Sequence, residues 1–317
     1  MGLIKKPFEL EIETFIRSLI YGQPGLGKTT LALSAPLPLM LDFDRGTHRV
    51  RSEHLADTVQ ITSWNDIDAV MKEDLSRYQT LIIDTVGKML DYISAQVIKE
   101  NPKMGRSDGS LTLQGFGVRK MKFLSFLRQA MILRKHVVFV AHEREERDND
   151  SRFVRPDVGG SSGSDLIKEL DLVGYMEAIG KQRTVSFDPS DKYYAKNTCH
   201  LDPQMIVPEL KEGQRNDFLS HVFLKYEDAL EMRKQNANKY RDILIEIDGI
   251  IDNVTTAEDA NQVITWVQSK QHIWDSKLYA SAKLRDKAKE LRLTLQKGKY
   301  VESTTEHKSA GTQTAAL

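Results

Sequence analysis

The chain has 317 residues, 40% hydrophobic and 28% charged, with 45 Lys+Arg against 45 Asp+Glu and so no net charge. This length can bury a sizeable core in one large or two modest domains, while the charge balance excludes a strongly basic whole-protein field, leaving only local patches for nucleic acid. The single cysteine, Cys199, excludes an internal disulfide and a multi-Cys zinc site.

The N-terminal M-G-L-I-K-K lacks the apolar core of a signal peptide, and Lys6 stands where a myristoylation site needs Ser or Thr. No apolar stretch approaches the roughly 20 residues of a membrane span. A cytoplasmic protein without a membrane partner is expected.

Residues 16–21, I-R-S-L-I-Y, predict a short apolar strand. The turn G-Q-P-G-L-G-K-T-T follows, then a helical run L-A-L-S-A stopped by Pro36. Gly22, Gln23, Pro24, Gly25, Leu26, Gly27, Lys28 and Thr29 match G-x-x-x-x-G-K-[ST] in full, with Thr30 next. This spacing suits a nucleoside triphosphate: the glycines let backbone N–H groups wrap a phosphate, Lys28 adds a cation, and Thr29 offers a hydroxyl to Mg2+. The helix start adds its positive end. ATP and Mg2+ are the expected cofactors.

A second strand is predicted over 37–43, a helix over 65–76, and a third strand over 79–84. The third strand is an unbroken apolar run, as in a parallel sheet buried on both faces. It ends in Asp84, placed as P-loop proteins place the acid that holds Mg2+. The next residue is Thr85, so no acid follows to polarise a water. Asp42 and Asp44, at the end of the second strand, are two residues apart and share a face.

Residues 87–100 and 118–134 predict helices, separated by a Gly-rich loop over 101–117. Strand 136–141 closes with A-H-E-R, and a second long loop covers 146–164. Short, antiparallel strands are predicted over 172–179, 183–188 and 192–197. Strands alternating with helices predict an α/β fold with a mostly parallel, doubly wound sheet.

From about 225 to 297 the pattern is helical. Thr255 with Glu258 reads as a capping box, and Ala260, Val263, Ile264 and Val267 repeat at helical spacing. A second stripe runs Tyr279, Ala282, Ala288, Leu291, Leu295. A small bundle of about three helices follows. The expected division is a core over 1–210, a linker over 211–224, a helical bundle over 225–297 and a disordered tail over 298–317. Trp266, Trp274 and the basic residues Lys283, Arg285, Lys287 and Lys289 read as core and solvated surface of that bundle.

The segments Y-G-Q-P-G-L-G-K-T-T, L-D-F-D-R-G, T-L-I-I-D-T, V-F-V-A-H-E-R and Y-Y-A-K-N, in this order over about residues 15–205, resemble the RecA-like P-loop ATPases of the phage Sak-type recombination family. These are often described as AAA-family ATPases or phage nucleotide-binding proteins. The resemblance implies a RecA-like core, ATP and Mg2+, partners in single-stranded DNA and a single-strand-binding protein, a homo-oligomer, and a role in recombination or strand annealing.

By the same resemblance the catalytic acid lies at the end of the second strand, with Asp44 favoured over Asp42. His142 senses the γ-phosphate. Lys196 in Y-Y-A-K-N reaches a neighbouring subunit's γ-phosphate, although Thr198 stands where relatives often carry a second basic residue. The loops at 101–117 and 146–164 take the positions of DNA-facing loops. Their candidate contacts are Lys103, Arg106, Phe116, Arg147, Arg152, Phe153 and Arg155: cations for phosphates and rings for stacking. Asp108, Asp148, Asp150 and Asp157 dilute that charge. Two other readings fit the same P-loop, a nucleotide-switched assembly protein with little hydrolysis and a small-molecule kinase with R-E-E-R at 144–147 as its lid.

Overall fold

The computed structural model describes residues 13–148 and 151–303, with Leu3, Lys5 and Leu10 besides. It divides into two compact units, one over Glu13–Asp228 and one that includes the chain from Ala229 onward.

Among the described residues of the first unit, ten strands form one sheet. The central strands are β1 (Arg17–Gly22), β2 (Pro38–Asp42), β3 (Asp57–Gln60), β4 (Thr80–Asp84), β5 (His136–Asp148) and β7 (Leu172–Ile179). Their spatial order is β7-β1-β5-β4-β2-β3, with β8 (Gln182–Ser186) and β10 (Gln204–Val207) extending the β7 side. All neighbours from β7 to β3 are parallel, whereas β8 and β10 are antiparallel additions. Two strands lie off this path: β6 (Ser151–Pro156) on β5 and β9 (Lys196–Asn197) on β7.

Parallel strands need crossovers, and the helices that make them cover both faces. Leu19, Leu41, Ile83 and Phe139 point to one face, against α3 (Val86–Glu100) and α4 (Leu113–Ile132) through Met89, Ile93, Phe123 and Phe126. Their neighbours Ile20, Met40, Ile82, Val138 and Val140 point to the other, against α1 (Lys28–Ala32) and the start of α6 (Phe218–Asp252). That alternation of burial is why β1, β4 and the first part of β5 read as unbroken apolar runs. Helices α2 (Trp64–Val70) and α5 (Ser161–Glu169) complete the unit.

Three boundaries differ from the sequence reading. The loop predicted over 146–164 is largely the β5–β6 hairpin, paired from Glu143↔Pro156 to Asp148↔Ser151, followed by α5. The loop predicted over 101–117 ends earlier, because Thr112 caps α4 by accepting from the Gly115 amide. The linker expected over 211–224 ends in helix: Phe218, Leu219, Val222 and Phe223 are buried in the core of the first unit.

Among the described residues of the second unit there are three helices: the remainder of α6, α7 (Ala257–Ser269) and α8 (Ser276–Glu290). The capping box is one residue later than read, between Thr256 and Asp259. Ala260, Val263 and Val267 are buried, but Ala280, Leu284 and Ala288 form the inward face of α8, and Leu295 is exposed. Leu295 belongs to a hairpin of β11 (Leu293–Gln296) and β12 (Lys299–Glu302), so the stretch from 299 to 302 is not tail. Beyond Ser303 the expected tail lies outside the described residues. Trp266 is partly buried against this core, and Trp274 is exposed. Lys283 is held by Asp248 and Asp252, and Lys289 by Asp286. Among the described residues no helix is long and apolar enough to cross a membrane.

Candidate active site

The C-terminal ends of parallel strands are where an open α/β sheet binds ligands. At that edge β1 ends in Gly22, which is paired with His142 of β5. Next, β4 ends in Asp84, paired with Asp42 of β2. The P-loop, His142, Asp84 and the Asp42–Asp44 pair therefore stand in a row along one sheet edge, although the chain separates them by more than a hundred residues.

The P-loop backbone explains its glycines. A Cβ on Gly22 would lie 2.2 Å from the Met176 carbonyl oxygen of β7, so a side chain cannot fit. Gly27 has φ 89°, in the left-handed region that side chains disfavour. Helix α1 is only five residues long, so the amides of the loop itself, more than a helix dipole, supply the positive cradle. Lys28 is buried, and its Nζ donates to the carbonyls of Gly22 at 2.9 Å and Gln23 at 2.7 Å. Burial pulls its ammonium down to about 8, against the opposing charges of Asp84 and Glu143.

The Thr29 hydroxyl donates to Asp84 Oδ2 at 2.5 Å. Burial pushes the Asp84 carboxyl up to about 6; the Thr29 hydrogen bond opposes this, while Asp42 and Asp44 add to it. One hydroxyl and one carboxylate side by side are a pair that could hold Mg2+ together with a bound nucleotide. Among the described residues no group of three or more His, Cys, Asp or Glu could hold a metal alone.

The two acids at and just beyond the end of β2 differ. Asp42 is buried and occupied: Oδ1 accepts from the Gly46 amide at 3.1 Å, and Oδ2 from the Thr47 amide at 3.2 Å and from the Thr47 hydroxyl. It shapes the turn that leaves β2. Asp44 is partly exposed and meets Arg49 at 3.5 Å. His142 is half-buried, its Nδ1 has no hydrogen-bond partner among the described residues, and burial lowers its pKa, with Lys28 adding to the effect. Its ring is neutral at pH 7 and can donate from one nitrogen.

Two neighbours were not singled out in the sequence. Glu143, next to His142, has a buried oxygen without a hydrogen-bond partner among the described residues, and its charge acts on Lys28, Tyr21 and Tyr175. Arg49 is the cation against Asp44. Glu143 carried a signal, since it directly follows a strand-end His, whereas Arg49 sits in a turn whose path no local pattern predicts.

Lys196 is not in this row. It lies on β9, which pairs with the beginning of β7, and its Nζ donates to the Ile167 and Leu170 carbonyls at the end of α5. Serving a neighbouring subunit requires release from that cap.

The candidate DNA contacts are dispersed. Lys103 and Arg106 are exposed in the 101–112 turn. Phe116 is on α4, 44% exposed, with the Arg119 guanidinium 4.8 Å from its ring. In the β5–β6 hairpin Arg155 covers the Phe153 ring at 4.9 Å. There Arg152 pairs with Glu145, and Arg144 and Arg155 both pair with Glu146. The arginines are present, but each of these three is matched by an acid.

A family model described as an AAA domain matches residues 14–199. The chain belongs to this AAA-domain family. The match runs from just before β1 to Cys199, so the P-loop, Asp42, Asp44, Asp84, His142 and Lys196 all fall within the AAA domain. The mostly parallel sheet with helices on both faces is the α/β core of a P-loop NTPase, and nucleotide binding follows from the family. The helical region beyond 199 lies outside the matched domain. No curated protein matches the chain.

Proposed function

We propose that this AAA-domain protein is an ATP-hydrolysing, RecA-like protein that acts as an oligomer on single-stranded DNA, in phage recombination or strand annealing. The observation that carries the ATPase part is the row Lys28–Thr29–Asp84–His142–Asp44 along one sheet edge. Loop amides and Lys28 hold the β- and γ-phosphates. Thr29 and Asp84 would hold Mg2+, which when bound would neutralise charge on the phosphate oxygens. Asp44 orients and deprotonates the attacking water. His142, between the P-loop strand and the Asp84 strand, meets the γ-phosphate and passes its state into the β5–β6 hairpin that begins beside it.

The DNA part rests on the Sak-type resemblance and on that hairpin, where Arg152, Phe153 and Arg155 stand together. Net neutrality and the Glu145 and Glu146 pairs make the interaction modest and salt-sensitive. A second reading, a nucleotide-switched assembly protein with little hydrolysis, is favoured by one observation, the Arg49 contact that occupies Asp44. An ATPase assay with and without single-stranded DNA separates the two. Turnover that rises with DNA supports the first reading; tight ATP binding without turnover under either condition supports the second.

A further inference from the structure

Near the start of the second unit, α6 has a stretch that serves no core. Residues 232–241, M-R-K-Q-N-A-N-K-Y-R, make almost three turns of helix, yet none is buried, and only Ala237 and Tyr240 are half-buried. A globular helix ordinarily turns an apolar stripe inward. Here the stripe that packs on the second unit's core starts only after Tyr240, with Ile243 and Ile247. The same ten residues carry Arg233, Lys234, Lys239 and Arg241, three side-chain amides and no acid. Among the described residues no carboxylate pairs with Arg233, Lys234 or Lys239, and Arg241 meets only its neighbour Asp242, at 3.2 Å. In the β5–β6 hairpin, by contrast, Arg144, Arg152 and Arg155 are each matched by an acid.

This charge leads to an aromatic pair. Tyr240 comes seven residues after Arg233, and so lies on the same face about 10 Å along the helix. Its ring is 4.9 Å from that of Trp274 and tilted by 50° to it. Its hydroxyl donates to Asp275 Oδ1 at 2.5 Å, which fixes the turn before α8. Trp274 has φ 51°, a left-handed backbone that a bulky residue adopts only where its surroundings impose it. The indole is left 61% exposed, with exposed Lys277 and Leu278 one turn on. Trp266 of α7, in the same unit, is instead packed against the core.

Four cations around one exposed ring favour a polyanion over an apolar partner, and the ring favours one with unstacked bases. We propose that residues 232–241 and Trp274 form a second contact for single-stranded DNA: Arg233, Lys234, Lys239 and Lys277 track phosphates, and a base stacks on the Trp274 indole. The inference rests on the DNA half of the function proposed above. It gives that half a surface in the helical region, beyond the residues matched by the AAA domain.

The test uses the full chain and oligo(dT). Of the three tryptophans, Trp64 is buried, Trp266 is partly buried and Trp274 is exposed, so quenching of intrinsic fluorescence by DNA reads Trp274. Wild type should be quenched on binding, and Trp274→Asn, which suits the left-handed backbone, should not. That variant should bind oligo(dT) roughly tenfold more weakly, the size of one stacked base, with its salt dependence unchanged. Trp274→Phe, which keeps a ring, should restore most of the affinity. The triple variant Arg233→Gln/Lys234→Gln/Lys239→Gln, at exposed positions that support no core, should flatten the log–log salt slope by roughly 0.7 for each phosphate no longer neutralised. ATP turnover without DNA should match wild type in all three variants. Binding by wild type without quenching overturns the proposal while the DNA reading stands. So do wild-type affinity in Trp274→Asn and a wild-type slope in the triple variant. If wild type does not bind oligo(dT), the DNA reading fails and this surface with it.

Discussion

Thr29 and Asp84, 55 residues apart in the chain, meet through a hydrogen bond of 2.5 Å from hydroxyl to carboxylate. One residue comes from the phosphate loop and the other from the end of a buried strand. Their contact ties a local motif to the sheet and makes the carboxylate responsive to what binds beside it.

That carboxylate carries a stability cost. Buried Asp84 has its pKa raised from 3.8 to about 6. Between those values the folded protein holds a proton that the unfolded chain has released, so stability falls as pH rises through this window and stays lower above it. Asp84→Asn should therefore stabilise the protein at pH 7 without nucleotide, by on the order of 3 kcal/mol. The gain should vanish below pH 4, and the variant should lose Mg2+-dependent nucleotide binding. Urea unfolding at pH 4 and pH 7 reads the first effect; an equal difference at both pH values would count against a charged, buried Asp84.

His136 works with the opposite sign. Its ring is buried against Phe223, its Nδ1 accepts from the Ile16 amide at 3.0 Å, and burial lowers its pKa from 6.5 to about 4. Between these values the unfolded chain takes up a proton that the folded ring refuses, so this contribution weakens as pH falls from about 6.5 to about 4. Against Asp84→Asn as background, which removes the opposing effect, His136→Gln should flatten acid destabilisation in that window. An unchanged slope would show that another group governs it.

Asp42, which ends β2, and Asp44, two residues beyond, should separate cleanly. Asp44→Asn should leave ATP affinity nearly intact and lower turnover by roughly the 10²–10⁴ of a positioned base. Asp42→Asn should act on folding, because Asp42 caps the Gly46–Thr47 turn, with a cost of roughly 1–3 kcal/mol for the disturbed buried hydrogen bonds. Normal hydrolysis by Asp44→Asn with loss in a folded Asp42→Asn would reverse the assignment. If both hydrolyse normally, the catalytic acid is elsewhere, and Glu143 beside His142 is the next to change.

What the sequence made legible follows from how local each determinant is. Gly22–Thr29 is one continuous segment whose spacing is its chemistry, and Asp84 ends an apolar run that only a doubly covered parallel strand explains. That Asp42 is taken up by the turn after it was not legible, because a strand pattern shows which face a residue takes and not what the following turn needs. The β5–β6 hairpin was hidden because E-R-E-E-R-D is polar throughout and S-R-F-V-R has only two apolar residues, which are adjacent, so no period-two apolar signal forms. Its ion pairs, Arg152–Glu145 and Arg155–Glu146, depend on pairing across strands that only the fold reveals.

Those pairs give the DNA proposal a signed test. Arg152→Ala with Arg155→Ala should weaken single-strand binding and flatten its salt dependence, by a log–log slope of roughly 0.7 for each phosphate that is no longer neutralised. Glu145→Gln with Glu146→Gln frees the same arginines and should strengthen binding. ATP turnover without DNA should change little in either double variant. Filter binding or fluorescence anisotropy across salt concentrations provides the slopes; slopes equal to wild type in both would remove the hairpin from the DNA site.

The most direct measurement is ATP turnover in Mg2+, with and without single-stranded DNA, for wild type beside Lys28→Ala. The account predicts Mg2+-dependent hydrolysis by wild type that rises with DNA, and none above background in Lys28→Ala, because the cation on the β- and γ-phosphates is gone. Turnover by Lys28→Ala equal to wild type would contradict the assignment of this sheet edge as the site of hydrolysis.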